Sequence, residues 1–278
     1  MDGFSGQTAW VTGASSGIGR ALAIALSEAG ARVILSGRRV DALQTVAEQM
    51  STPCKILPFE VTDYDILMDT VSDAWSWAGT VDLLFNNAGV SQRSLAIATD
   101  PQVYSDLINI DLIAPIWLTQ LQLPQMVAAG GAHIIAICSV AGRIGPPLRT
   151  AYAAAKHGLI GYMDALRTEV SIRHNIHITN VLPGSVATDV SRNALTADGS
   201  SRGKSDANID GGDDPENLAN EILKAIIRKT PEFIYAKGME LELAELRHRD
   251  PVALFETMNR MGAKIAARYE AAEGSNRN

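Results

Sequence analysis

Seven short apolar runs alternate with helix-like segments from Thr8 to Ala236, and this alternation constrains the chain more than any other feature. The runs are Thr8–Thr12, Arg32–Ser36, Lys55–Val61, Val81–Phe85, His133–Cys138, Ile176–Leu182 and Glu232–Ala236. Between them lie helical periodicities such as Ile18, Leu22 and Leu26, or Leu43, Val46, Ala47 and Met50. Further helices are expected over Asp63–Trp77 and Pro101–Met126, from Tyr152 to about His174, and from Pro215 through Leu218, Ala219, Ile222, Leu223 and Ile226. Parallel strands need crossovers of helix length, and the resulting sheet is covered on both faces. The expected class is therefore α/β, doubly wound, with about seven mostly parallel strands and helices on both faces. Residues 1–237 read as one domain, with a helical extension over 238–278.

With 46% hydrophobic and 20% charged residues in 278, the chain has the composition of a soluble protein with a large core. Its net charge of −7 argues against nucleic acid or an anionic membrane as a main partner, since both require a basic footprint. No stretch reaches the ~18 apolar residues of a membrane span, and no secretory pattern precedes Thr8. A cytoplasmic location is expected. The cysteines, Cys54 and Cys138, sit in apolar runs without disulfide or metal spacing, so inert thiols and no metal site are expected.

The first strand runs into Thr12-Gly13-Ala14-Ser15-Ser16-Gly17-Ile18-Gly19, where a helix opens. Strand, glycine turn and helix form the context in which backbone N–H groups can meet a dinucleotide pyrophosphate. An ordinary strand-to-helix turn is the alternative. The second strand ends in Ser36-Gly37-Arg38-Arg39. No carboxylate there would repel a 2′-phosphate, and two guanidiniums could bind one, which favours NADP(H) over NAD(H). Otherwise the pair is a solvated loop. Glu60 and Val61, closing the third strand, are placed near the adenine. Asn86-Asn87-Ala88-Gly89 ends the fourth strand and suits either a cofactor cleft or a plain turn.

Ser139 ends the fifth strand, and Tyr152 and Lys156 follow at i, i+4 spacing on one helical face. An ammonium near a phenol favours its ionised form, which lets the phenol trade a proton with a substrate oxygen near neutral pH. Asn109, among Ile108 and Ile110, is open to two readings: a structural hydrogen-bonder, or the holder of a water near the site. The polar segment over 190–214 reads as a mobile loop, either a lid or a plain excursion. Leu254, Met258, Met261, Ile265 and Tyr269 form a helical stripe suited to docking on the chain itself or on a subunit partner. The residues from Ala271 to Asn278 are expected to be disordered.

In joint order and spacing, the Thr12–Gly19 motif, Asn86–Gly89, Asn109, Ser139, Tyr152, Lys156 and the Pro183-Gly184…Thr188 run resemble the short-chain dehydrogenase/reductase family. The resemblance covers roughly Thr8 to Ala236 and implies a Rossmann fold. It implies that Tyr152 is the general acid in reduction and the base in oxidation. Lys156 would lower its pKa and hold the nicotinamide ribose, Ser139 would hold the substrate oxygen, and Asn109 would hold a water relaying protons behind Lys156. It further implies a cofactor site built from Gly13, Ser15, Ser16, Gly17, Ile18, Gly19, Arg38, Arg39, Glu60, Val61, Asn87, Ala88, Gly89, Pro183, Gly184, Val186 and Thr188, with Arg38 as the mark of NADP. Two positions depart from the family pattern: Glu60 stands where Asp is usual, and Ala155 where Ser often precedes the lysine.

The implied reaction moves a hydride between NADP(H) and a carbonyl or secondary alcohol of a medium-sized, partly apolar substrate. Its walls would come from Ser91–Thr99, Ile144–Leu148 and Val190–Asp214. Thr188–Thr196 and the helix from Pro215 resemble a branch that reduces lipid-like or xenobiotic carbonyls. Family members commonly assemble as dimers or tetramers, so a homo-oligomer is expected. Two competing readings are an idle dinucleotide sensor or scaffold and an enoyl reductase, which would space Tyr and Lys more widely.

Overall fold

A computed structural model describes residues 3–275. Seven strands form one sheet in the order β3-β2-β1-β4-β5-β6-β7, every neighbouring pair parallel. They are β1 (Thr8–Thr12), β2 (Arg32–Ser36), β3 (Cys54–Ile56), β4 (Leu83–Asn86), β5 (Ala132–Ile137), β6 (Ile176–Pro183) and β7 (Glu232–Tyr235). The order reverses direction between β1 and β4, and ligands of such sheets bind at that switch point, beyond the strands' carboxyl ends. β3 is shorter than its apolar run. It is an edge strand, and Pro58, which has no N–H to offer a further strand, lies just beyond it. Leu57 and Phe59 still donate backbone bonds to Leu35 and Gly37.

Helices α1 (Gly17–Glu28), α2 (Val40–Ala47), α3 (Tyr64–Ala78), α4 (Pro101–Ile108), α5 (Ala114–Ala128), α6 (Thr150–His174), α7 (Ala207–Asp210) and α8 (Pro215–Ile227) connect the strands. One core packs α1, α2 and α8 on the sheet through Leu22, Leu26, Leu43 and Ile222. The other packs α3, α5 and α6 through Leu67, Leu118, Leu159 and Met163. The two-sided burial explains why the central strands are apolar without alternation.

The expected helix over Pro101–Met126 is broken. Between α4 and α5, Asn109–Ile113 makes a π-helical turn in which the Ala114 N–H reaches the Asn109 carbonyl. Pro115 follows directly and has no N–H for the carbonyl of Asp111, so a regular α-helical ladder cannot pass through this point. The tail is also ordered further than expected. α9 (Gly238–Arg249) and α10 (Pro251–Ser275) are helical, and the last three residues lie outside the described range. Leu254, Met258 and Met261 pack on Ile144 and Leu243, and the Tyr269 hydroxyl donates to the Arg93 carbonyl at 3.1 Å.

Deep in the sheet, His133 lies 2.8 Å from the Thr179 hydroxyl, whose own proton goes to the Thr230 carbonyl at 2.6 Å. His133 must therefore donate from Nε2, which fixes its neutral tautomer. Burial, with His177 and Lys229 nearby, lowers its pKa to about 3. An unfolded histidine titrates near ~6.5, so between these values the unfolded chain binds more protons and stability rises with pH. This contribution is complete above ~6.5 and is lost as pH falls toward 3, by up to about 1.4 kcal/mol per unit. Denaturant unfolding from pH 7 down to pH 4 is expected to show that slope, and His133→Gln, which keeps an N–H donor, is expected to flatten it.

Candidate active site

The glycine turn is held from behind by one hydroxyl. Thr12 Oγ1 donates to the Phe85 carbonyl at 3.0 Å and accepts the N–H groups of Asn87 and Ala88 at 3.0 and 3.1 Å. The Asn87 amide returns to the Thr12 carbonyl at 2.8 Å. These bonds lock the end of β1 to the loop after β4. Gly13 and Gly17 adopt positive φ (67° and 53°), and a Cβ on Gly19 would lie 2.3 Å from the Gly13 carbonyl oxygen. No side chain caps the start of α1 and its first turn holds no acid, so its N–H groups and positive dipole end suit a pyrophosphate. Thr188 touches Gly17 from the loop after β6. Val61 lines a small cleft with Thr12, Ala88 and Ile110.

At the turn's outer edge, Arg39 Nη2 donates to Ser15 and Ser16 hydroxyls at 3.1 and 3.0 Å. Arg38 pairs with Glu60 at 3.3 Å, and both are exposed (71% and 37%). Glu60 thus stands beside the Arg38 guanidinium, beyond the end of β3.

Tyr152 and Lys156 open α6. Gly142 packs so tightly on this helix that a Cβ there would meet Ile160 at 2.5 Å and the Lys156 carbonyl at 3.0 Å, and this close packing draws the loop after Ser139 onto α6. Ser139 Oγ accepts the Ala141 N–H at 3.1 Å and donates to the Pro183 carbonyl at 3.4 Å. Tyr152 is half-buried among Val90, Val103, Leu107 and Leu195. The Lys156 ammonium, 4% exposed, lies 5.6 Å from the Tyr152 ring centroid and donates to the Ile137 carbonyl at 3.3 Å.

Behind Lys156 the structure corrects the sequence reading. Asn109 is exposed at the end of α4 and does not reach the site. The π-turn points Asp111 inward instead, fully buried, with Oδ2 3.3 Å from Lys156 Nζ and Oδ1 accepting the Val90 N–H at 2.8 Å. Burial pushes the Asp111 carboxyl up, against the opposing pull of Lys156 and the Val90 N–H. Burial works against the Lys156 charge, but Asp111 outweighs it and the ammonium's pKa rises. Cys138, buried alongside, is pushed to about 12 and stays a neutral thiol. Pro115 was the available signal for this arrangement, because a proline four residues after Asp111 has no N–H for the Asp111 carbonyl and breaks a regular helical ladder there.

Two further anchors carried no sequence signal. Glu240 on α9 accepts both the N–H and the hydroxyl of Ser185 at 2.7 Å, fixing the loop that carries Gly184, Val186 and Thr188. In the loop after β4, buried Arg93 donates to Asp206 at 2.6 Å, and Arg202 and Arg149 approach the same carboxylate at 2.6 and 3.6 Å. Burial works against the Asp206 charge, but the guanidiniums outweigh it and hold its pKa low. Arg93 is lowered to about 10, by burial first and by Arg149. The loop over 190–214 is thereby stitched to Ser91–Ser94, with backbone bonds between Arg93 and Leu195 and between Leu195 and Ser91, each 2.8 Å.

A family profile described as short chain dehydrogenase matches residues 7–199. The chain belongs to the short-chain dehydrogenase/reductase family. It is 35% identical over 258 residues to the Bos taurus dehydrogenase/reductase SDR family member 7B, covering 89% of this chain and 79% of that one. Among solved structures, a metagenomic short-chain oxidoreductase in complex with NADP is 28% identical, with TM-score 0.69, covering 84% of this chain and all of that one. A Burkholderia phymatum family member in complex with NAD shares the fold at TM-score 0.80 and 22% identity, covering 90% of this chain and 95% of that one. For this short-chain dehydrogenase/reductase, a dinucleotide-dependent oxidoreductase class follows from the family, and at Gly19 the glycine turn leaves no room for a Cβ. Gly19→Ala is expected to lower stability by about 1–3 kcal/mol through overpacking against Gly13, read as a lower denaturant midpoint with an unchanged m-value.

Proposed function

We propose that this short-chain dehydrogenase/reductase is an NADP(H)-linked carbonyl reductase, reversible as an alcohol dehydrogenase, for a medium-sized, partly apolar substrate. The observation that carries this reading is the buried Lys156 ammonium one helical turn from Tyr152. It sets a fixed positive charge beside a phenol able to exchange a proton. In reduction Tyr152 gives its proton to the carbonyl oxygen, and in oxidation it takes one from the alcohol. Ser139 holds that oxygen. Lys156 keeps one N–H beyond those directed at Ile137 and Asp111, suited to the nicotinamide ribose. Bound nicotinamide supplies or takes the hydride. A sensor without chemistry gains nothing from burying an ammonium, which costs several kcal/mol before its partner offsets it.

For the cofactor, Arg38 is paired with Glu60 while Arg39 meets only the Ser15 and Ser16 hydroxyls, so the pocket edge keeps a positive excess that suits a 2′-phosphate. The metagenomic relative in complex with NADP supports the same choice. Assembly as a cytoplasmic dimer or tetramer is part of this proposal and is measured by light scattering. Among the described residues no helix is long and apolar enough to cross a membrane.

Tyr152→Phe is expected to lower turnover by about 10²–10⁴-fold across a panel of ketones, aldehydes, quinones and steroids, with NADPH affinity nearly unchanged. Unchanged turnover refutes the assignment. The double variant Arg38→Ala with Arg39→Ala is expected to weaken NADPH at least about tenfold more than NADH, the loss of one charge-assisted bond. Equal loss of both refutes the 2′-phosphate role.

A further inference from the structure

We propose that Asp111 is a positioning residue that biases this site toward proton donation, and so toward carbonyl reduction, by offsetting the Lys156 charge that Tyr152 experiences. This inference rests on the reading of Tyr152 as the proton-exchanging group. An amide at the position behind the lysine would leave its full positive charge acting on the phenol. Asp111 replaces that amide with a carboxylate 3.3 Å from the ammonium, fully buried and out of reach of screening ions.

Few other charges compete. Tyr152 shares α6 with Lys156. Cys138, at the end of β5, is held neutral by burial, and the charges that act on it from farther off are Asp164 on α6 and Glu232 on β7. The β4 side contributes the neutral Val90 N–H, and β5 the neutral Ile137 carbonyl. On α4, the Tyr104 hydroxyl is engaged with Thr150 at 2.8 Å. The Lys156 ammonium lies 5.6 Å from the Tyr152 ring centroid with Asp111 3.3 Å behind it, and the two act on Tyr152 with opposite sign, while the Arg93, Arg149 and Arg202 guanidiniums are gathered on Asp206.

The step this favours is balanced. The carbonyl carbon accepts a hydride from dihydronicotinamide, which is oxidised. The C=O π pair moves to oxygen and takes the Tyr152 proton, and the phenolate recovers a proton from water. Keeping the phenol protonated to higher pH keeps that donor loaded. At an effective dielectric of roughly 20, a buried unit charge within a nanometre displaces such an equilibrium by on the order of 1 pH unit.

The test is Asp111→Asn, which keeps an acceptor for the Val90 N–H and removes the charge. The pH at which reductive kcat falls off is expected to drop by about 1 unit, and the oxidative rate to rise at correspondingly lower pH. Coincident profiles, or a shift upward, overturn the proposal; a merely structural role would lower rates without moving the limb. A second readout does not depend on turnover. The tyrosinate absorbance of Tyr152, isolated by subtracting Tyr152→Phe in each background, is expected to appear about 1 pH unit lower in Asp111→Asn. An unmoved band overturns the inference even if no substrate has been found. A displaced band without turnover upholds the charge effect while the reductase reading fails. If Asp111→Asn does not fold, Asp111→Ser is expected to move the band in the same direction, and no movement there overturns the proposal.

Discussion

An ammonium group almost sealed from water is the constraint around which this molecule is arranged. Removing one partner of such a buried pair costs about 3–5 kcal/mol, so in this chain the carboxylate beside Lys156 offsets much of what burying the ammonium costs. Supplying that carboxylate requires a helix whose register shifts at one point, and the π-turn before Pro115 provides the shift. The Val90 N–H completes the carboxylate's coordination, which ties the loop after β4 to the same point. Tyr152, the loop after β4 and the α4–α5 junction thus share one electrostatic centre.

Much of this was legible in the chain. Burial on both sheet faces leaves long apolar runs, so strands and their order of occurrence stood out, as did the glycine turn whose close contacts admit no side chain. Tyr152 and Lys156 were visible because a regular helix keeps i and i+4 on one face. Asn109 stood out for its apolar neighbours and the resemblance, but the structure exposes it and buries Asp111, two residues on, so the buried partner is an acid in place of an amide.

The remaining misses are long-range contacts. Glu240 meets Ser185 and Arg93 meets Asp206 across distances in sequence that no local pattern reports. Both replace what looked like loose ends with charged anchors. The segment over 190–214 has too few apolar residues to form a core, yet Asp206 draws three guanidiniums around it and gives the segment a fixed frame. In β3, the apolar run outlasts the strand because β3 is an edge with no neighbour on its outer side.

The contact between Glu240 and Ser185 also orders events in time. During synthesis the strands emerge and can pair before α9 exists, and Asn208 and the Val186–Asp213 bridge can already hold the loop after β6, but the Ser185 N–H lacks its carboxylate acceptor until α9 arrives. A helix that lies outside the sheet altogether thus supplies the final anchor of a loop that the preceding segment already frames.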